Sequence, residues 1–284
     1  MKIAVVGPGA IGSTFAYQLA RAGHDVTVVA RGARLATLER DRSIVRVDGA
    51  VESRAPVKVS SALDESVPWD LVLVTVLATQ VAAVLPTLAK SAAKRVVFMF
   101  NTFESIEPLR QAVGEGRFGF AFPGGVFALL VEGRVHPQIR QGTTAGDERL
   151  AELFSTAGIP TVVERDMQGW LRAHAAMVAP MMAMSTVVLA RGAGATWSEC
   201  ARYSAAFVAG FAVVRSVGSV VRPPAVAALS RLPPVVVAAM LWLFSRTKML
   251  RDLGRLGPSE ARMLVDMMSA AAPHLAAPLR AIRP

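Results

Sequence analysis

Three glycines stand in the run Lys2-Ile3-Ala4-Val5-Val6-Gly7-Pro8-Gly9-Ala10-Ile11-Gly12, and their chemistry is that of an anion cradle. An apolar, β-branched run that passes through closely spaced glycines into an amphipathic stretch lets backbone approach a pyrophosphate. The start of the helix adds N–H groups and the positive end of its dipole. The spacing fits a dinucleotide site built from Gly7, Pro8, Gly9, Ala10, Ile11 and Gly12. A turn that merely packs a strand on a helix has the same composition, so the flanking pattern on both sides carries the reading.

The end of the next apolar run, Asp25-Val26-Thr27-Val28-Val29-Ala30, discriminates between dinucleotides. About 20 residues past the glycines, an acid would accept a hydrogen bond from a ribose 2′-hydroxyl. Ala30-Arg31 stands there instead. A carboxylate repels a 2′-phosphate, whereas a guanidinium binds one through two parallel charged hydrogen bonds, and Arg34 lies one helical turn further on. The expected cofactor is NADP(H), clasped by Arg31; the alternative is that both arginines are solvated surface residues.

A sheet must position these groups. Short β-rich runs at 2–6, 25–30, 71–75, 96–100 and 118–122 alternate with helical stretches, the pattern of a doubly wound α/β sheet. Residues 44–47 and 57–59 read as a small hairpin arm. Residues 128–132, 135–139 and 161–163 read as an antiparallel extension, with a helix at 147–157. Beyond Asp166 the pattern turns helical at 170–189, 199–219, 234–246 and 259–272, with Pro180 expected to kink the first of these helices. The expected fold is α/β, with an N-terminal Rossmann-type sheet (residues 1–166) for the cofactor. A C-terminal all-helical domain (167–284) would serve the substrate and contacts in a homodimer.

With 284 residues and 53% hydrophobic content the chain can build a full core. A net charge of +10 is dispersed, without a basic tail or basic-aromatic repeat, so no nucleic-acid partner is expected. One cysteine excludes an internal disulfide. The longest apolar stretch read from the sequence, 235–244, falls short of the roughly 20 residues of a membrane span. With the first strand starting at Met1, a cytoplasmic protein with no membrane partner is expected.

Asn101 follows the apolar run 96–100, at the edge where open α/β sheets hold ligands. Its amide can donate and accept, which suits holding a nicotinamide ribose or a substrate carboxylate, or it can simply close a turn. Glu260, after Gly257-Pro258-Ser259, reads as an acid in a first helical turn. Phe122-Pro123-Gly124-Gly125 is either a cleft border or an ordinary turn, and Met177, Met181, Met182 and Met184 read as adaptable core.

The chain resembles the ketopantoate reductase (2-dehydropantoate 2-reductase) family over nearly its whole length. The resemblance rests on Lys2 to Gly12, the segment Gly23 to Gly32, and Leu73-Val74-Thr75 with Gln80 beyond. It also rests on Asn101 and on Asp252 followed eight residues later by Glu260. It implies an NADPH-dependent reductase of a 2-keto acid, of the kind used in pantothenate biosynthesis, with hydride transfer in an interdomain cleft. Thr75, Gln80 and Asn101 would contact the cofactor. Asn101 would also hold the substrate, whose hydroxyl would bond to Glu260.

The sequence also departs from that family. Its proton-donating lysine falls on Arg172, or on Leu171 if Pro180 sets the register. Arginine polarises an oxygen or grips a carboxylate but donates protons poorly. His174, four residues past Trp170, is the nearest substitute acid, or else a histidine packed between helices. Lys248 stands where the family has a substrate-binding serine, as a contact to an additional negative charge or as a solvated lysine. Leu77 replaces a common cofactor-contacting lysine. The remaining alternatives are an NADP-linked dehydrogenase of another keto acid or an imine, and a non-catalytic NADP-binding protein.

Overall fold

Ile3, Val5, Val26, Val28, Leu71 and Leu73 are all buried, as strands covered on both faces require. A computed structural model describes residues 1–284. The chain divides into two units, Met1–Phe100 with Ile106–Met167, and Asn101–Ser105 with Gln168–Pro284.

The first unit begins β1 (Lys2–Val6), α1 (Ala10–Arg21), β2 (Asp25–Val29), α2 (Gly32–Asp41), β3 (Ser43–Asp48), β4 (Val51–Pro56) and β5 (Lys58–Ser60). It continues with β6 (Leu71–Val74), α3 (Val81–Lys90), β7 (Val96–Phe98), α4 (Glu107–Val113) and β8 (Phe118–Phe122). It closes with β9 (Val126–Val131), β10 (Arg134–Ile139), β11 (Thr143–Ala145), α5 (Glu148–Thr156) and β12 (Thr161–Val163). Eight strands make one sheet in the order β12-β11-β8-β7-β6-β1-β2-β5. From β5 to β8 the neighbours run parallel, with Ile3 opposite both Val26 and Leu71. The chain builds outward from β1 to β2 and β5, then returns to the other side of β1 for β6, β7 and β8. This is the doubly wound Rossmann arrangement, and its order reverses between β1 and β6, where such sheets leave a crevice at the carboxyl ends of the strands. Gly7 and Thr75 follow those two strand ends directly.

The small strands correct the sequence reading. Residues 57–59 are not the mate of 44–47: β3 pairs antiparallel with β4 around Gly49, whose φ of 60° supplies the turn, while β5 joins the edge of the main sheet beside β2. The polar run Glu52-Ser53-Arg54 hid β4. Likewise β9 and β10 do not extend the main sheet. They turn through Glu132 and Gly133, at φ 49° and 81°, as tight two-residue hairpins do. They then join β3 in a second sheet, β4-β3-β10-β9. Helix α1 packs against strands of both sheets, which is why Gly12 to Tyr17 and Leu19 are buried. β12 pairs with β11, a three-residue strand that the sequence pattern did not reveal.

The second unit holds α6 (Met167–Arg191), α7 (Trp197–Ser216), α8 (Pro224–Leu229), α9 (Pro234–Phe244), α10 (Lys248–Gly254), α11 (Ser259–Ala271) and α12 (Ala277–Arg280). Its core joins Ala173, Ala176, Met182, Met184, Phe207, Phe211 and Leu264, with Met177 and Met181 packed against it. A Cβ on Gly210 would lie 3.2 Å from the Ala176 Cβ, so small residues on α6 and α7 let the two helices approach closely. Helix α6 runs on through Pro180. By length and composition it is apolar enough to cross a membrane, which the sequence reading of 235–244 as the longest apolar stretch overlooked, and 56% of its most apolar window is buried inside the structure.

Candidate active site

The glycine turn is shaped by contacts that exclude side chains at two of its three glycines. Gly7 has φ 88°, and a Cβ there would lie 2.6 Å from Val76 Cγ1. At Gly12 a Cβ would lie 2.3 Å from Thr75 Oγ1 and 2.6 Å from the Gly7 carbonyl oxygen, so this glycine lets α1 sit against the strand ends. Gly9 differs: it is exposed and nothing lies within 4 Å of its would-be Cβ. Packing does not require a glycine there, but a ligand pressed on the backbone would. Helix α1 has no side-chain cap and no acid in its first turn. The N–H groups of that turn and the positive dipole end are thereby left for an anion. Pro8 is buried beneath the turn, while Ala10 and Ile11 are half-buried. These residues fit a nucleotide pyrophosphate.

Several side chains brace that turn. Thr75 Oγ1 donates to the Gly7 carbonyl at 2.8 Å and lies 3.1 Å from that of Val6. Gln80 closes the short turn before α3 by accepting from the Leu77 N–H at 3.2 Å. Arg31, the residue before α2, is exposed, and its guanidinium makes no hydrogen bond or ion pair. Arg34 corrects an expectation. Its guanidinium donates to the Pro8 carbonyl at 2.9 Å, to Ser13 Oγ at 2.8 Å and to the Gly133 carbonyl at 2.9 Å. Burial holds it below the usual arginine range. It is a strut behind the glycine turn and is not free to share a phosphate with Arg31. Ser13, which also donates to the Pro8 carbonyl at 2.9 Å, was missed in the sequence because nothing in its local pattern marks it.

The second unit gathers its own polar groups around Asn101–Ser105, the segment that leaves the first unit's sheet beyond β7. Asn101 Nδ2 donates to Glu260 Oε1 at 2.6 Å. Asn101 Oδ1 is buried without a protein donor. Burial pushes the Glu260 carboxyl above the usual range, against the opposing effect of the Asn101 amide. Arg172 Nε donates to the Phe103 carbonyl at 3.2 Å and Nη1 to Ser219 Oγ at 2.8 Å, with the guanidinium 5.7 Å from the Phe103 ring. Arg172 therefore supports the segment that carries Asn101, a role shared with Phe103 and Ser219 that no sequence motif announced.

His174, the expected substitute acid, lies on α6. It stacks on Trp170 at 4.9 Å between ring centroids, and burial pushes its imidazole down to about 4, so near neutrality the ring is neutral and not the imidazolium that would act as an acid. Lys248 opens α10 as an exposed side chain without a hydrogen bond or ion pair, which matches the solvated alternative. Gly124 and Gly125 face backbone: a Cβ at Gly124 would lie 2.6 Å from the Gly142 carbonyl oxygen, and one at Gly125 2.3 Å from that of Arg140. That turn is glycine-rich for packing.

The family model described as Ketopantoate reductase PanE/ApbA matches residues 3–147, just over half of the chain. The chain belongs to this family. It is 33% identical over 150 residues to a 2-dehydropantoate 2-reductase of Vibrio cholerae, covering 51% of this chain and 45% of that protein. The chain spans about half the length of the curated relatives it matches. Among solved structures it is similar to a putative ketopantoate reductase of Ralstonia solanacearum (TM-score 0.76, 20% identity, 99% of this chain and 95% of that one). It is also similar to a D-mandelate dehydrogenase solved with NADH and anilino(oxo)acetate (TM-score 0.70, 16% identity, 100% and 98%). At these identities the two structures speak for the fold alone. The stretch matched to the ketopantoate reductase model includes Gly7, Gly9, Gly12, Arg31, Thr75, Gln80 and Asn101, whereas Arg172, His174, Lys248 and Glu260 lie beyond it.

Proposed function

We propose that this member of the ketopantoate reductase family is an NADPH-dependent reductase of a 2-keto acid. The observation that carries the reading is the Asn101–Glu260 hydrogen bond, which joins an amide and a carboxyl that can hold the one oxygen that is the substrate's carbonyl and becomes the product's hydroxyl. The backbone from Gly7 to Gly12 and the first turn of α1 would hold the cofactor's pyrophosphate, with Thr75 and Gln80 shaping the adjoining loop. The free guanidinium of Arg31 would take a 2′-phosphate. When bound, the nicotinamide supplies a hydride to the carbonyl carbon. Asn101 and Glu260 orient that carbonyl, and Arg172 keeps the segment of Asn101 in place.

Ketopantoate is the first substrate to test. Another 2-keto acid is a second reading, supported by the fold shared with a D-mandelate dehydrogenase. The decisive experiment follows oxidation of NADPH and of NADH over a panel that contains ketopantoate, phenylglyoxylate and short aliphatic 2-keto acids. Turnover of one of these with preference for NADPH supports the proposal. Cofactor binding without turnover on the whole panel would leave a nucleotide-binding protein in its place.

A further inference from the structure

Reducing a carbonyl to an alcohol needs a proton as well as a hydride, and the titratable groups of the second unit must be sorted by what they can donate. Arg172 is a guanidinium committed to the Phe103 carbonyl and Ser219, and arginine keeps its proton throughout the working pH range. His174 is neutral near pH 7, since burial has pushed it down to about 4. Cys200 and Tyr203 lie buried in the helical core on α7, where burial raises both the thiol and the phenol. Lys248 is exposed on α10 with no hydrogen bond that would aim it.

Resting on the reductase reading above, we propose that Glu260 is the acid that protonates the carbonyl oxygen, its carboxyl aimed by Asn101. The placement supports this in three ways. The carboxyl is half-buried, so its charged form is disfavoured. Burial raises its proton affinity, and the Asn101 hydrogen bond opposes that rise. The amide N–H of Asn101 also donates to Oε1 at 2.6 Å, which fixes the direction in which the carboxyl points. Asn101 has a second face for this purpose: Nδ2 donates to the carboxylate, and the buried Oδ1, which has no protein donor, can accept from a substrate hydroxyl. Glu260 lies in the first turn of α11, where the helix dipole stabilises the carboxylate left behind.

The step balances as follows. A new C–H bond forms with the hydride's electron pair, and the carbonyl π pair moves onto oxygen. The Glu260 O–H bond breaks as the alcohol O–H bond forms. The nicotinamide leaves oxidised, and Glu260 regains its proton from water.

The test compares wild type with Glu260→Gln and Glu260→Asp at saturating cofactor and substrate. The expected result is a kcat at least about 100-fold lower in Glu260→Gln, with cofactor affinity unchanged by calorimetry. The wild type's fall in kcat on the alkaline side should be absent from the residual rate of the variant, and Glu260→Asp should recover part of the rate. Infrared spectra at neutral pH should show a protonated-carboxyl stretch in wild type that Glu260→Gln lacks, a readout independent of turnover. Wild-type turnover with an unchanged pH profile in Glu260→Gln overturns the acid assignment alone. Absence of turnover by wild type overturns the reductase reading and this assignment together, and absence of the carboxyl band overturns the assignment whatever the kinetics.

Discussion

Asn101 and Glu260 are separated by 159 positions, yet the amide of one donates to the carboxyl of the other at 2.6 Å. The contact belongs to the second unit, although Asn101 follows β7 of the first unit in sequence. Five residues, Asn101–Ser105, leave the sheet to join the helical unit, and they carry with them the amide that donates to Glu260.

The glycine turn separates a packing role from a binding role. Gly12→Ala should destabilise the fold by about 1–3 kcal/mol, because its Cβ meets Thr75 Oγ1 and the Gly7 carbonyl. Gly9→Ala has open space and should leave the denaturation midpoint unchanged while weakening cofactor binding roughly tenfold or more, as a Cβ displaces a pyrophosphate oxygen. Urea denaturation and calorimetry on both variants check this; equal losses of affinity and stability in Gly9→Ala would contradict it.

Arg31 tests the cofactor preference. Arg31→Glu should raise the Kd for NADPH by about 10–100-fold, the worth of a lost charge-assisted hydrogen bond at 1.5–3 kcal/mol. The Kd for NADH should change little. Parallel fluorescence titrations read the difference, and an equal effect on both cofactors would place the 2′-phosphate elsewhere.

Arg172 is expected to act through position. Arg172→Ala frees the Phe103 carbonyl and Ser219, and should lower stability by about 1–3 kcal/mol together with kcat. Ser219→Ala, which removes one of the two bonds, should move both quantities the same way by less. A rise in KM with stability intact would instead mark Arg172 as a direct grip on the substrate carboxylate.

His174 predicts a pH dependence of folding. Its imidazole sits at about 4 in the folded protein against 6.5 for the free group, so between those values the unfolded chain binds more protons. The stability associated with this residue is complete above 6.5 and declines as pH falls toward about 4. His174→Gln should flatten that part of a Tm-against-pH curve, and an unaltered slope would assign it to other groups.

Much of this architecture was legible along the chain. Strands alternate with helices in the first half because buried parallel strands need apolar, β-branched runs, and Gly7, Gly9 and Gly12 stand out because close backbone approach excludes side chains. What escaped was long-range or weakly apolar. The pairing of β3 with β4 depended on a polar strand, and the second sheet depended on β10 finding β3 across nearly ninety positions.

The order of residues thus determined the Rossmann-type sheet, the helical second half and the cradle after β1, since local periodicity and glycine placement are written in neighbouring residues. Only the tertiary structure decided that Arg34 braces the turn, that burial lowers the His174 imidazole and that burial raises the Glu260 carboxyl. Burial and hydrogen-bond partners set those charges, and both come from segments far apart in the chain.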